Sequence, residues 1–186
     1  RRRYEKEPDE VFDYIPSEVS RMNRIITEFL GLARQTSLQR APSDLASLLN
    51  RTLSLLEYRF EKNAIEVIRK FPESLPLMMD SDKIQQVFLN LFLNAVDAMP
   101  EGGRLEVSVQ QSKPEGAVSI TVADSGVGMT PEVAQKIFDP FYSNKEGGTG
   151  LGLSVARQII LQHGGHIGVE STPGRGTKLT VRLPGN

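Results

Sequence analysis

Two pairs of alternating apolar runs lie in the C-terminal half of the chain. Turn-forming residues from Pro114 to Gly116 separate the first pair, and a stretch from Thr172 to Gly176 separates the second. Alternation with a period of two is typical of strands that have one face in a core. The pattern therefore predicts two antiparallel hairpins, with strands around residues 105–109, 118–122, 167–169 and 179–183.

Helical patterns account for much of the remaining sequence. Asp80 can cap a long helix that runs through Met99 and is stopped by Pro100 and the glycines after it. Two further helices are predicted over residues 44–60 and about 151–162, and a further strand over 65–68. This separation of helices from strands predicts an α/β (α+β) two-layer sandwich, with helices on one face of a mixed, mostly antiparallel sheet.

A different repeat precedes these elements. Apolar residues recur at alternating spacings of four and three, at Ile15, Val19, Met22, Ile26, Phe29 and Ala33. This is the spacing of a coiled-coil seam, and it favours one helix of a hairpin or four-helix bundle over an amphipathic helix packed on its own domain. We therefore expect two domains, residues 1–37 as the C-terminal part of a helical hairpin and residues 38–186 as the sandwich.

Composition limits the classes of partner. A formal net charge of -1 provides no field that would attract nucleic acid or an anionic membrane, so no nucleic-acid partner is expected. The chain has no cysteine, which excludes thiol catalysis and agrees with a reducing compartment. No stretch reaches the roughly 18 apolar residues that span a bilayer. We expect a cytoplasmic domain, and any membrane anchor of the parent protein would lie upstream of residue 1.

Three polar side chains share one face of the long predicted helix. Asn90, Asn94 and Asp97 are spaced by four and three residues, while the residues between Asn90 and Asn94 are apolar. Two carboxamides and a carboxylate on one stripe form a polar edge that could face a ligand. Buried asparagines that cap loop backbone would give the same pattern, so this segment alone leaves both interpretations open.

A second cluster, Asp124-Ser125-Gly126-Val127-Gly128-Met129, directly follows a predicted strand. A carboxylate at a strand end can accept a hydrogen bond from an exocyclic amine, and the two glycines would let backbone lie close to a flat ligand. A tight turn would use the same residues. A third cluster, residues 137–145, combines aromatic side chains with Lys145, which is either a phosphate contact or a solvated surface lysine.

A fourth cluster is rich in glycine and runs into a helix: Gly147-Gly148-Thr149-Gly150-Leu151-Gly152-Leu153-Ser154. A glycine-rich turn at a helix N-terminus presents free N–H groups and the positive end of the helix dipole to an anion. The dinucleotide fingerprint would need a small residue where Val155 stands, and the P-loop would need lysine where Leu153 stands. Neither of these two common phosphate motifs is present.

The four clusters, in this order, resemble the N box, first glycine box, F box and second glycine box of sensor histidine kinases within the GHKL ATPase superfamily. The resemblance covers about residues 43–184 and includes Gly174-Arg175-Gly176-Thr177 near the end. Residues 17–35 also look like the second helix of the family's dimerisation and phosphotransfer hairpin. The short stretch between Phe141 and Gly148 is similar to the compact lid of the nitrogen-regulation type.

The resemblance implies a site for ATP or ADP with Mg²⁺. It makes Asn94 the metal ligand, Asn90 and Lys145 catalytic groups at the phosphate end, and Asp124 the acceptor for the adenine amino group. Thr177 would support Asp124 through adenine or water, and Gly126 and Gly128 would admit the base. The complete implied set for the nucleotide is Asn90, Asn94, Asp97, Asp124, Gly126, Gly128, Met129, Lys145, Gly148, Thr149, Gly150, Leu151, Gly152, Leu153 and Thr177.

The family transfers the ATP γ-phosphoryl group to a histidine on the first hairpin helix. The two histidines of this chain, His163 and His166, lie after the last predicted helix, so a structural role is expected for both. The implied partners are a phosphoacceptor hairpin of the same protein, a second copy bound through the complete hairpin, and the receiver domain of a response regulator. An ATP-driven clamp or a nucleotide-sensing module of the same superfamily is the alternative, although clamp ATPases usually carry glutamate where Asn90 stands.

Overall fold

The computed structural model describes residues 37–112, 116–145 and 148–185. These residues belong to one unit, Thr36–Asn186. The seam helix predicted between residues 15 and 33 lies outside them, so the division at residue 37 stays a prediction. The elements, in order, are β1 Ala41–Asp44, α1 Leu45–Ser54, α2 Glu57–Lys62, β2 Ile65–Lys70, β3 Pro76–Met79, α3 Ser81–Ala98, β4 Gly103–Gln111, β5 Val118–Asp124, α4 Pro131–Lys136, α5 Gly152–Gln162, β6 His166–Thr172 and β7 Gly176–Leu183.

The main sheet has five strands in the order β2-β4-β5-β7-β6. Strand β2 runs parallel to β4, and the other neighbours are antiparallel. Both predicted hairpins, β4-β5 and β6-β7, are therefore confirmed, as is the mixed, mostly antiparallel sheet. The register places Asp124 of β5 opposite Thr177 of β7, and Thr177 opposite Ser171 of β6. Alternation puts these three side chains on the same face of the sheet.

The core lies between that face and the helices α3 and α5. Leu105, Val107, Ile120 and Val181 from the strands are fully buried. Helix α3 turns seven residues into this core and begins at Asp80, whose carboxylate accepts a hydrogen bond from Lys83 N at 3.2 Å. Burying a large apolar side chain stabilises the fold by about 1.5–3 kcal/mol relative to leaving it exposed. This packing fixes the polar face of α3 at the edge of the sandwich.

Two features of residues 37–79 differ from the sequence prediction. The helix predicted over 44–60 is two helices, α1 and α2, with Leu55 exposed at the break. The apolar pattern continues across it because Leu53, Leu56 and Phe60 all remain buried. Strands β1 and β3 were not predicted; they pair with each other as a separate two-stranded sheet. No helix of the described residues is both long and apolar enough to cross a membrane.

Candidate functional site

Asp124, the last residue of β5, is held by backbone donors from two directions. Its Oδ1 accepts hydrogen bonds from Gly126 N at 2.9 Å and from Thr177 N at 3.2 Å. Among the described residues, no hydrogen bond to its Oδ2 is present. The carboxylate is thus fixed by one oxygen, while the second is available to a ligand that carries a donor.

Burial raises the pKa of the Asp124 carboxyl above its ordinary value of 3.8, because desolvation disfavours the charged form. The hydrogen bonds from Gly126 and Thr177 and the positive charge of Lys145 act in the opposite direction. An ionised carboxylate in such a setting is a strong acceptor, since hydrogen bonds to charged groups exceed neutral ones in strength. The position therefore suits an amine donor such as the exocyclic group of adenine.

The glycines after Asp124 are required by contacts within the protein. A Cβ at Gly126 would lie 2.4 Å from Ala98 O, and one at Gly128 would lie 2.0 Å from Thr172 O. Gly128 also has φ +65°, which L side chains rarely adopt. The first glycine box is therefore packed against the end of α3 and against β6. That the same glycines admit a base stays a prediction.

The polar face of α3 holds the beginning of α5. Asn90 Nδ2 donates to Gly152 O at 3.1 Å, and Gly152 is the first residue of α5. Within the part of the chain that the structure describes, no side chain caps this helix N-terminus, so the N–H groups of its first turn remain suited to an anion. Gly150, with φ +68°, brings the loop against the backbone of Phe141, where a Cβ would lie 2.4 Å from Phe141 C.

Lys145 contacts the other two polar residues of the same helix face. Its Nζ donates to Asn94 Oδ1 at 3.0 Å and forms an ion pair with Asp97 Oδ2 at 2.9 Å. The Lys145 and Asp97 side chains are 39% and 49% exposed, so solvent screens the pair and it adds little stability. The arrangement shows that the two side-chain oxygens converge on one cation. Oxygen ligands of this kind also suit Mg²⁺, which usually takes one or two ligands from protein.

The predicted site residues form two neighbouring groups. One consists of Asp124 and its surroundings, where Met129 N donates to Ser171 Oγ at 2.8 Å. The other joins the α3 face to the segment from Lys145 to the start of α5. The charge of Lys145 acts on Asp124, which links the two groups electrostatically.

The predicted residues of the second glycine box lie around the start of α5: Gly148 to Gly152 at or before it, and Leu153 directly after it. Leu151 is fully buried, so that only its backbone could face a ligand, whereas Leu153 is partly exposed. Thr149 Oγ1 accepts from Leu151 N at 3.3 Å, which stabilises the turn before the helix. A Cβ at Gly148 would lie 2.2 Å from Ser143 Oγ, so this position also requires glycine unless the loop shifts.

Sequence reasoning missed Ser171 and Arg157. Ser171 continues the inward positions of β6 after Ile167 and Val169, and a polar residue at such a position was a usable signal. Arg157, on α5, places its guanidinium 5.8 Å from the centre of the Phe138 ring. This cation–π contact ties the F-box segment to the helix that follows the glycine loop.

His163 lies in a structural position, as expected. His163 is buried at the end of α5, where Nε2 accepts from Asp80 N at 3.1 Å and Nδ1 lies 2.8 Å from Ile159 O. Both ring nitrogens are therefore engaged within the fold. Burial lowers the pKa of His163 below 6.5, which keeps the ring neutral for these contacts. His166 is exposed at the beginning of β6.

A cavity of about 240 Å³ lies at the same end of the sheet, and its lining includes Asp124 and Thr177. Its walls also include Ala123, Glu170 and Lys178, whose side chains alternate to the outer face of the sheet. The cavity therefore extends to a face away from α3 and α5. The row formed by Asp124, Thr177 and Ser171 locates the candidate site better than this cavity does.

Comparison with known proteins identifies the family. The model of the histidine kinase-, DNA gyrase B- and HSP90-like ATPase family matches residues 79–186. The chain belongs to this ATPase family. The matched region begins at the end of β3 and includes Asn90, Asn94, Asp124 and Lys145. The resemblance drawn from the four sequence clusters is thereby confirmed.

The relatives place the chain among the histidine kinases of this ATPase family. It is 41% identical over 170 residues to the sensor histidine kinase ZraS of Klebsiella oxytoca, covering 91% of this chain and 37% of ZraS. The chain thus spans well under half of the length of this relative. The nucleotide-free catalytic domain of histidine kinase ThkA superposes with a TM-score of 0.72 at 32% identity, covering 79% of this chain and 96% of that domain. ThkA in complex with the response regulator protein TrrA gives a TM-score of 0.81 at 28% identity, with 97% and 53% covered.

Proposed function

We propose that this chain is the ATP-binding catalytic region of a cytoplasmic or membrane-anchored sensor histidine kinase that uses Mg-ATP to phosphorylate a histidine on its hairpin. The observation that carries the proposal is the half-satisfied carboxylate of Asp124, with one oxygen fixed by backbone and the other open to a donor. An acceptor in this state, close to an uncapped helix N-terminus, suits adenine at one end and phosphate at the other.

At the adenine end, Asp124 Oδ2 would accept from the exocyclic amine, and Thr177 would support Asp124 from the neighbouring strand. The 3.2 Å hydrogen bond from Thr177 N to Asp124 Oδ1 supports this part of the proposal. The first glycine box, with Met129 bound to Ser171, would form the adjoining wall. The fixed orientation of the carboxylate reduces the entropy that binding would otherwise cost.

At the phosphate end, the N–H groups of Gly152 and Leu153 at the start of α5 would contact phosphate oxygens. Asn94 would hold Mg²⁺, and the convergence of its Oδ1 with an Asp97 oxygen on the Lys145 ammonium supports a cation at this point. When bound, the metal ion supplies neutralisation of phosphate charge. Lys145 would then turn from the α3 face to the phosphates, because both contacts are exposed and weak.

The proposed reaction transfers the γ-phosphoryl group to an imidazole nitrogen, so that the bond from γ-phosphorus to the bridging oxygen breaks, a phosphorus–nitrogen bond forms and ADP leaves. Such transfer depends chiefly on positioning and on charge neutralisation. Asn90 would contribute to positioning by holding the start of α5 through Gly152. Neither His163 nor His166 is suited to be the phosphoryl acceptor. His163 is buried with both ring nitrogens in hydrogen-bond contacts, and His166 follows the far end of α5.

The proposal includes partners that other parts of the protein would bring. The acceptor histidine would lie on a hairpin helix, and the complete hairpin would join two copies of the protein. The product would pass its phosphoryl group to the receiver domain of a response regulator, as the solved complex of ThkA with a response regulator suggests by analogy. The residues predicted to form the hairpin helix lie outside the described residues.

Calorimetry with Mg-ADP and with Mg-ATP tests the proposal. Asp124→Asn should abolish binding or weaken it by about tenfold or more, because an amide replaces the charged acceptor. Asn94→Ala should remove mainly the magnesium-dependent part of the affinity. Asp139→Asn, at an exposed position on the F-box segment, is the control that should bind normally. Unchanged affinity in Asp124→Asn would refute the assignment of the adenine site.

A further inference from the structure

Ser171 has three hydrogen-bond contacts beneath Asp124. Its Oγ accepts from Met129 N at 2.8 Å and donates to Gly176 O at 3.0 Å, and it lies 3.0 Å from Thr177 Oγ1. The side chain is only partly buried, but each contact joins it to a residue around the same strand ends. Ser171 therefore connects the first glycine box to the turn between β6 and β7.

The three contacts fix the direction of the Thr177 hydroxyl. A serine hydroxyl has one hydrogen, and a carbonyl oxygen can only accept, so the contact with Gly176 O uses the hydrogen of Ser171. The contact between Ser171 and Thr177 then requires the hydrogen of Thr177. All three contacts are satisfied together in this arrangement alone, and it leaves Thr177 Oγ1 with lone pairs and no hydrogen to offer a ligand.

Thr177 Oγ1 and the Asp124 carboxylate consequently both act only as hydrogen-bond acceptors. The two residues are direct partners, joined by the bond from Thr177 N to Asp124 Oδ1, and their side chains share one face of the sheet. An ionised carboxylate beside a hydroxyl that can only accept forms an edge made of acceptors. Such an edge favours a nucleobase that carries an amino group there and disfavours one that carries a carbonyl oxygen.

We propose that Ser171 is a positioning residue for nucleobase selection, which holds the Thr177 hydroxyl as an acceptor so that the site selects a 6-amino purine over a 6-oxo purine. The inference rests on the proposed function, because it assumes that the base lies against Asp124. It assigns to Ser171 an effect on selectivity that a residue needed only for folding would not have. Without Ser171, the Thr177 hydroxyl is free to rotate and donate to a 6-oxo group.

The test compares dissociation constants for ADP and inosine diphosphate, which differ at the 6-position of the purine and in the hydrogen that N1 carries only in inosine. The wild-type protein should prefer ADP, and Ser171→Ala should reduce that preference by about threefold to tenfold, the range of one net hydrogen bond. Ser171→Thr retains a hydroxyl and should restore the preference. Melting temperatures of all variants provide the control for folding.

A double-mutant cycle shows whether Ser171 acts through Thr177. In a Thr177→Val background, which keeps the shape and removes the hydroxyl, Ser171→Ala should leave the ratio of the two affinities unchanged. The inference would be overturned if Ser171→Ala weakened the binding of both nucleotides equally, or if it changed the ratio of the two affinities by the same factor in both backgrounds. Either result would leave the proposed function intact. A wild-type protein that binds neither nucleotide would overturn both.

Discussion

Asp124 illustrates how a single residue can cost stability and still serve a site. Its carboxyl has a raised pKa, so the folded state binds a proton more readily than the unfolded state, whose reference value is 3.8. The associated stability is present below pH 3.8 and is lost as the pH rises through the raised pKa. At neutral pH, the protein therefore carries a partly desolvated charge that a neutral residue would avoid.

We expect Asp124→Asn to melt at a higher temperature than the wild type at neutral pH in the absence of nucleotide. The amide oxygen can still accept from Gly126 N and Thr177 N, so the local structure should remain. The difference should shrink as the pH is lowered towards 3.8. With saturating Mg-ADP the order should reverse, because the ligand stabilises only the protein that binds it. A lower melting temperature of the variant at neutral pH without nucleotide would contradict this account.

His163 predicts a pH effect of the opposite sign. Burial, aided by Arg40, lowers its pKa below 6.5, while Asp80 and the contact with Ile159 oppose the shift. The unfolded state then binds the proton more readily, so the stability from the neutral ring is present above about pH 6.5 and is lost as the pH falls through the lowered pKa. Protonation would also abolish the acceptor for Asp80 N.

The melting temperature should accordingly fall as the pH is lowered below 6.5, and thermal denaturation across this range measures it. The two histidines provide a matched pair of variants. His166→Gln changes an exposed residue and should retain the pH dependence, whereas His163→Gln should be less stable at neutral pH and lose this part of the dependence. A pH profile that is identical in the two variants would show that His163 is not its source.

At the scale of elements, the five strands of the main sheet and the long helix α3 could be predicted because their patterns are local. Alternating apolar residues predicted both hairpins, and the Asp80 cap with the glycines after Met99 predicted the limits of α3. The break between α1 and α2 could not be predicted, since no glycine or proline marks it and Leu53, Leu56 and Phe60 keep helical spacing.

In the candidate site too, the residues in local sequence motifs could be predicted and those that depend on tertiary contacts could not. The clusters around Asp124 and Asn90 were predicted, because each is a contiguous motif with a polar residue in an apolar setting. Ser171 was missed because its contacts depend on tertiary structure. Its contact with Thr177 arises from strand register, and its contact with Met129 joins residues that are 42 positions apart in the chain. A pattern read along the chain does not contain such pairings.

Gly150, in the glycine loop before α5, lies close to the backbone of Phe141 in the F-box segment. Gly150→Ala should cost more than the roughly 1–2 kcal/mol expected of a left-handed residue with a side chain, because its Cβ would lie 2.4 Å from Phe141 C. The variant should also bind ADP more weakly, since the loop begins α5. Chemical denaturation and calorimetry measure the two effects.

Gly174→Ala is the matched control for backbone strain. Gly174 has φ +71°, close to the +68° of Gly150, but nothing lies within 4 Å of the Cβ it would gain. This variant should lose only the conformational part of the stability and retain its affinity for ADP. Equal losses of stability in the two variants would mean that the contact with Phe141 has no energetic role.

At the scale of the whole molecule, we propose that this chain binds the nucleotide and that a separate hairpin carries the phosphoacceptor. The internal histidines are poor acceptors, because the eleven-residue helix α5 separates them from the glycine loop. At about 1.5 Å per residue, this helix is roughly 16 Å long, which exceeds the distance over which in-line transfer can occur. The protein alone should therefore bind ATP without phosphorylating itself.

The most direct test mixes this chain with γ-labelled ATP, magnesium and a separate hairpin that carries the histidine of the parent kinase. We expect slow transfer of label to the hairpin in a form that is labile to acid and stable to base. When this chain carries Asp124→Asn, we expect no label on the hairpin. Label on His163 or His166, or an unlabelled hairpin at saturating concentrations of all components, would contradict the account.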